Sequence, residues 1–153
     1  VRGAVAVGPA VRRRWVFLPA ARGRDMDDLL EAARDAVDAA YTPYSEYRVG
    51  AAIETVDGTV YTGCNIENAN YSNSLHAEEV AIGTAVRDGH REFVGLAVSS
   101  AARDGVTPCG MCRQTLAEFC EDDLPVYTDG DDPTEYTLGE LLPDTITPGH
   151  LDR

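Results

Sequence analysis

The sequence predicts an α/β fold, a mixed five-stranded sheet with helices on its faces, and three observations carry that expectation. Two strand-like runs, 47–55 and 59–64, flank Asp57-Gly58, a dipeptide that favours the positive-φ backbone of a tight hairpin. After the hairpin, strand-like and helix-like stretches alternate up to residue 142. Ahead of it, Leu29, Ala33, Ala36 and Ala40 recur at helical spacing. A chain of 153 residues, 44% of them hydrophobic, is enough for one domain with one core.

Taken in order, the first helix starts after Asp25, a favourable N-cap, with Asp27 and Asp28 complementing the dipole in its first turn. Pro43 is expected to end it. The two hairpin strands follow, and the polar residues 65–73 read as a loop. That loop leads into a helix that starts near His76 and runs through Val80, Ala81, Ile82 and Ala85. Phe93–Ser99 is an apolar strand, 101–107 a loop and Cys109–Glu121 a helix. Leu124–Thr128 is a further strand, Asp129–Pro133 an acidic turn, Glu135–Leu138 the fifth strand and Leu138–Leu142 a short helix. Residues 144–153, rich in Pro and Thr, are expected to form a loose tail. No internal repeat is present, and no apolar run approaches the ~18 residues of a membrane span.

The stretch that carries chemistry is Ser74–Arg113, which opens S-L-H-A-E-E and closes P-C-G-M-C-R. His76, Cys109 and Cys112 are zinc-type ligands, and a helix start places the two thiols of C-x-x-C on one side. The positive end of the helix favours the thiolate that binds metal. A structural zinc site takes four protein ligands, whereas a catalytic site takes three and keeps one position for water. Zinc lowers the pKa of such a water to ~7. Glu78, two residues after His76, is the candidate for moving its proton, work that contributes about 10²–10⁴-fold to a rate. H-x-E followed by P-C-x-x-C is the pattern of zinc deaminases acting on cytosine or adenine.

Blander readings compete with this one. A lone C-x-x-C also serves as a redox pair or as half of a structural zinc site. Cys64 and Cys120 could complete four ligands, although their surroundings read as those of buried, inert thiols. A zinc-stabilised binding protein without turnover remains an alternative, but it has no use for Glu78. Tyr41, Tyr44 and Tyr71 could line a pocket or be buried structural residues. His90 and His150 lack partners at ligand spacing and read as surface residues.

Five stretches add a resemblance: Y-T-P-Y-S-E-Y-R-V-G-A-A (41–52), V-Y-T-G-C-N-I-E-N-A-N-Y-S (60–72), H-A-E (76–78), P-C-G-M-C-R-Q (108–114) and E-L-L-P (140–143). Through them residues 26–143 resemble the small, homotetrameric cytidine deaminases. The resemblance implies a three-layer α-β-α sandwich with one zinc per subunit, held by His76, Cys109 and Cys112. It implies hydrolytic deamination of cytidine and deoxycytidine to uridine and deoxyuridine plus ammonia, a step of pyrimidine salvage. Glu78 would protonate the ring nitrogen and then the departing amine. Asn65 and Glu67 would bond the ribose hydroxyl, and the backbone of Ala77 would face the pyrimidine carbonyl. Tyr47 falls where many members carry a Phe near the base, and Tyr71 is a further candidate contact. Arg113 and Gln114 would fix the Cys helix. The resemblance also implies a homotetramer whose sites are completed by loops of neighbouring subunits.

The chain departs from that pattern in instructive places. Many members read C-A-E-R where this chain reads H-A-E-E. Three thiolates leave Zn²⁺ at −1, and a neighbouring Arg offsets the charge. One His and two thiolates leave it neutral, so Glu79 can occupy the position of the Arg. Tyr47-Arg48 replaces the usual Phe-Pro. Within the superfamily, another cytosine nucleoside such as blasticidin S, or cytosine in a polynucleotide, is the competing substrate. Asn65 and Glu67 favour a free ribose, and the negative charge disfavours a nucleic-acid polymer.

Charge divides the chain unevenly. Residues 1–25 hold six Arg and one Asp, net +5, while residues 26–153 hold seven Arg against twenty-five acids, net −18. No Lys occurs anywhere, and the net charge is −13. An acidic, Lys-free composition of this kind points to the salt-rich cytoplasm of an extreme halophile, a haloarchaeon in the first instance. Arg12–Arg14 ahead of Trp15–Leu18 resembles an export signal, but Pro19 cuts the apolar piece short of the ~7–15 residues required. A nucleic-acid arm is the other sharp reading. Residues 1–25 are instead expected to be a nonessential, disordered extension from an upstream start, with Met26 opening the domain and activity surviving their removal. Four cysteines without a disulfide-like spacing place the protein in the cytoplasm, with no membrane partner.

Overall fold

The computed structural model describes residues 24–151, so the expectations for residues 1–23 lie outside the described residues. Five strands form one sheet of order β2-β1-β3-β4-β5: β1 Val49–Thr55, β2 Val60–Cys64, β3 Phe93–Ser100, β4 Pro125–Thr128 and β5 Thr134–Thr137. All neighbours are antiparallel except β3 and β4, so the sheet is mixed. The helices are α1 Met26–Val37, α2 Ala77–Arg87, α3 Gly110–Leu116 and α4 Leu138–Leu141. α3 lies in the crossover between the parallel pair. No helix among the described residues is long and apolar enough to cross a membrane.

Alternation along β1 and β3 separates two apolar layers. Ala52 and Ala97 face Leu29, Leu30 and Ala33 of α1. Ala51, Ile53, Leu96 and Val98 face Ala77, Ala81, Ile82 and Ala85 of α2 together with Leu116 of α3. Two glycines let the helices come this close. A Cβ on Gly50 would overlap the Ala33 carbonyl oxygen, and one on Gly63 would overlap that of Ala77. The three-layer α-β-α sandwich is therefore set by small residues where the hairpin meets α1 and α2.

The hairpin turns at Asp57-Gly58 as expected, with Gly58 at φ +84° and its N–H donated to Thr55 O at 2.9 Å. Other boundaries differ from expectation. α1 stops at Val37, well before Pro43, because Tyr41 is drawn into a bridge with Ile66 and donates its N–H to Asn65 O at 3.0 Å. Asp25 holds the N-cap position but makes no side-chain cap bond. α3 ends at Leu116 instead of Glu121, since Glu118 and Phe119 donate to the carbonyls three residues back and Phe119 packs edge-on to Phe93. The tail is not loose through residue 146: Gln114 accepts from Thr145 Oγ1 at 2.6 Å and donates to Ile146 O at 3.0 Å. Arg34 and Asp129 tie α1 to the turn after β4, with Arg34 Nε 2.9 and 3.0 Å from the two carboxylate oxygens. That hydrogen bonding, joined by Ser99 Oγ, holds the Asp129 carboxyl below the usual carboxylate range.

Glu54 is buried on β1, and Arg24 caps it, donating its backbone N–H to Oε2 at 2.8 Å with its guanidinium 3.9 Å from Oε1. Arg24, two residues before Met26, thus contacts β1. A chain starting at Met26 should lose about 1–3 kcal/mol in urea unfolding, the cost of a buried acceptor left without its donor. Adding Glu54→Gln should recover part of that loss, and a chain starting at Gly23 should match the 153-residue chain.

Candidate active site

Three side chains from two helix starts converge. His76 immediately precedes α2, Cys109 immediately precedes α3, and Cys112 lies in the first turn of α3. His76 Nδ1 is 3.2 Å from each sulfur, and the sulfurs are 3.8 Å apart. Two sulfurs bound at ~2.3 Å to one tetrahedral zinc ion stand ~3.8 Å apart, so the pair is already at ligand spacing. One imidazole and two thiols are also a borderline-to-soft donor set that suits zinc. Among the described residues this is the only group of three or more such side chains that could hold a metal ion.

The surroundings make the same point electrostatically. Cys112 is buried, and burial followed by the charge of Glu78 pushes its thiol well above the ordinary range. Glu78 is 5% exposed, and burial raises its carboxyl too. Two acids pressed together in this way resist ionising, and a divalent cation on the sulfurs offsets that resistance. Cys64 and Cys120 lie outside the cluster, so neither supplies a fourth ligand to it. Both are partly rather than fully buried, and burial pushes the Cys120 thiol up to about 12.

Arg113 braces the ligand loop. Its guanidinium donates to Pro108 O at 2.6 Å, Thr107 Oγ1 at 3.0 Å and Leu141 O at 2.7 Å. Gln114, expected to share that task, instead reaches the tail. Glu79, which stands in the position of the usual Arg, accepts the His76 backbone N–H on its Oε2 at 3.1 Å. A cap position followed three residues later by Glu was the signal available in H-A-E-E.

Beside His76 opens a cleft of about 270 Å³, lined among others by Ser45, Tyr47, Asn65, Glu67, Tyr71 and Ser74. Asn65 Oδ1 accepts from Val49 N at 2.9 Å and its Nδ2 donates to Tyr47 O at 2.7 Å. Glu67 Oε2 accepts the N–H groups of Tyr44 and Ser45 at 2.9 and 3.2 Å, and Oε1 accepts from Ser45 Oγ. These bonds, the Ser45 hydroxyl foremost, hold the Glu67 carboxyl below its usual range. Ser45 escaped sequence reasoning because its partner lies far along the chain. Ala77 opens α2 and is buried against Gly63. Tyr41, Tyr44 and Tyr71 are exposed, not buried, and of the three only Tyr71 lines the cleft. His90 is partly sheltered between Tyr61 and Asp57, while His150 is exposed.

A three-ligand zinc centre with a buried carboxylate two residues from its imidazole, on an α/β sandwich, defines a hydrolytic zinc enzyme. Known proteins agree. A family profile described as "Cytidine and deoxycytidylate deaminase zinc-binding region" matches residues 24–128. Cytidine deaminase from Sporosarcina psychrophila is 46% identical over 78% of this chain and 89% of its own length. That from Halalkalibacterium halodurans is 42% identical over 80% and 95%. The crystal structure of cytidine deaminase from Burkholderia pseudomallei superposes with a TM-score of 0.75 at 40% identity, covering 78% of this chain and 98% of that one. The chain belongs to the cytidine and deoxycytidylate deaminase zinc-binding family.

Proposed function

We propose that the protein hydrolytically deaminates cytidine and deoxycytidine to uridine and deoxyuridine, releasing ammonia for pyrimidine salvage. The observation that carries this reading is the junction of the His76, Cys109 and Cys112 centre with a cleft containing an ionised Glu67. When bound, zinc supplies a water that ionises near pH ~7. Glu78 would take that proton and pass it to the ring nitrogen as the water oxygen adds to C4, then carry the second proton from that oxygen to the amine as the C4–N bond breaks and the C4 carbonyl forms. Burial suits it to the task, because a carboxyl raised from its ordinary value carries a proton more readily at neutral pH. The Ala77 N–H, one of the helix donors without an intrahelical acceptor, faces the pyrimidine carbonyl. Asn65 keeps one amide N–H and Glu67 Oε1 one lone pair after their protein bonds, which fits a ribose hydroxyl as acceptor and donor. Tyr47 and Tyr71 flank the base.

The same cleft selects against a phosphate. Its one charged lining residue among the described residues is the Glu67 carboxylate, and no Arg lines it. Ultraviolet assay of the zinc-loaded protein should show turnover of cytidine and deoxycytidine, with cytosine, deoxycytidylate and blasticidin S at least about tenfold poorer in kcat/KM, the scale of one lost or repelled contact. Preferred turnover of deoxycytidylate or blasticidin S would replace the proposed substrate.

An exposed apolar rim of Tyr41, Tyr44, Ile66, Tyr71 and Leu75 lies around the cleft mouth. A homotetramer would bury it and complete the site with neighbouring loops. Free thiols as ligands fit a reducing cytoplasm. The relatives named above are bacterial, and the haloarchaeal source rests on composition alone. Twice as many acids as basic residues make the folded chain repel itself unless salt screens it. The melting temperature is expected to fall steeply as KCl is lowered from about 3 M to about 0.1 M, where the screening length grows from under ~3 Å to ~10 Å. A flat profile would remove the halophilic reading.

A further inference from the structure

We propose that Glu79 is a positioning residue of the zinc centre, its carboxylate fixing the His76 backbone so that the imidazole stays on the two sulfurs. The inference rests on the zinc-deaminase reading of the site. In a capping box the cap residue and the residue three further on bond each other reciprocally. α4 shows that arrangement complete: Thr137 N–H donates to Glu140 Oε2 at 2.8 Å, and Glu140 N–H donates to Thr137 Oγ1 at 3.2 Å. At α2 the cap residue is His76, whose ring is turned to Cys109 and Cys112 instead. The ring makes no cap hydrogen bond of its own, so the bond that ties the cap residue to its helix side chain is the one from His76 N–H to Glu79 Oε2 at 3.1 Å.

The remaining bond fixes the ligand. His76 O is held by Val80 N–H at 3.1 Å, so Glu79 closes the other side of the same residue. Just before it, Leu75 is paired both ways with Ile66 at 2.9 Å. His76 thus sits between a bridge to the cleft loop and a carboxylate on its own helix. Removing Glu79 frees the peptide between them, and with it the direction of Nδ1 toward the sulfurs.

Zinc affinity, measured by competition with a chromophoric chelator, tests this without reference to turnover. Glu79→Ala should raise the zinc Kd by about 10–100-fold, and Glu79→Gln, whose amide oxygen also accepts the N–H, by less than about threefold. The thiolate charge-transfer band of the cobalt-substituted protein should be weakened in Glu79→Ala and retained in Glu79→Gln. A helix cap without a positioning role would lower the melting of metal-free and zinc-loaded protein alike and leave Kd unchanged; that result overturns the inference. So does a Glu79→Gln protein as weak as Glu79→Ala. A parent protein that binds no zinc overturns both this inference and the reading beneath it.

Discussion

Glu78→Gln is expected to bind zinc at the parent's stoichiometry and to lose about 10²–10⁴-fold in kcat, the range that a positioned proton carrier contributes. The amide has the shape of the carboxylate but cannot pass a proton between a water and a ring nitrogen. It is also cheaper to bury, because no charged form has to be desolvated at a position only 5% exposed. The variant should therefore melt no lower than the parent. Its KM for cytidine should move little, since the cleft contacts attributed to Asn65, Glu67 and Tyr47 are untouched. Steady-state kinetics beside a metal assay reads both halves of the expectation. Parent-like turnover would remove Glu78 from the mechanism, and loss of zinc would make it a support for the metal instead.

Arg113→Ala is expected to weaken zinc binding by about 10–100-fold and to destabilise the fold by roughly 3 kcal/mol. The guanidinium spreads over three acceptors: the Pro108 carbonyl just before Cys109, the Thr107 hydroxyl, and the Leu141 carbonyl at the end of α4. Truncation leaves all three without their charged donor and lets the loop that carries Cys109 relax. A charged hydrogen bond contributes about 1.5–3 kcal/mol, and bonds sharing one side chain do not add fully, hence the total given. Arg113→Lys should recover only part of the loss, because an ammonium cannot reproduce a planar fork. Urea unfolding and chelator competition report the two effects separately. An unchanged zinc Kd would confine Arg113 to a role in folding.

The metal centre was legible because its information is local. H-A-E fixes a ligand and a carboxylate at one helix start, and P-C-x-x-C fixes two sulfurs at another. The hairpin was legible for a similar reason, Gly58 being the residue that adopts φ +84° at no steric cost. What escaped depends on partners distant in the chain. The end of α1 is set by Tyr41 pairing with Ile66, and the end of α3 by tight turns and the Phe93 contact of Phe119. The link from Gln114 to the tail and the cap of Arg24 on Glu54 join segments about thirty residues apart. Spacing reveals such pairs only once the sheet order is known. The Ser45 brace on Glu67 belongs to the same class.

One imidazole and two sulfurs are expected to hold the metal and leave its fourth position to water. X-ray absorption at the zinc edge of the fully loaded protein addresses it directly. Two sulfur scatterers at ~2.3 Å and two nitrogen or oxygen scatterers at ~2.0–2.1 Å, with the pattern of a single imidazole, are expected. A third sulfur, a second imidazole, or no bound zinc would contradict it.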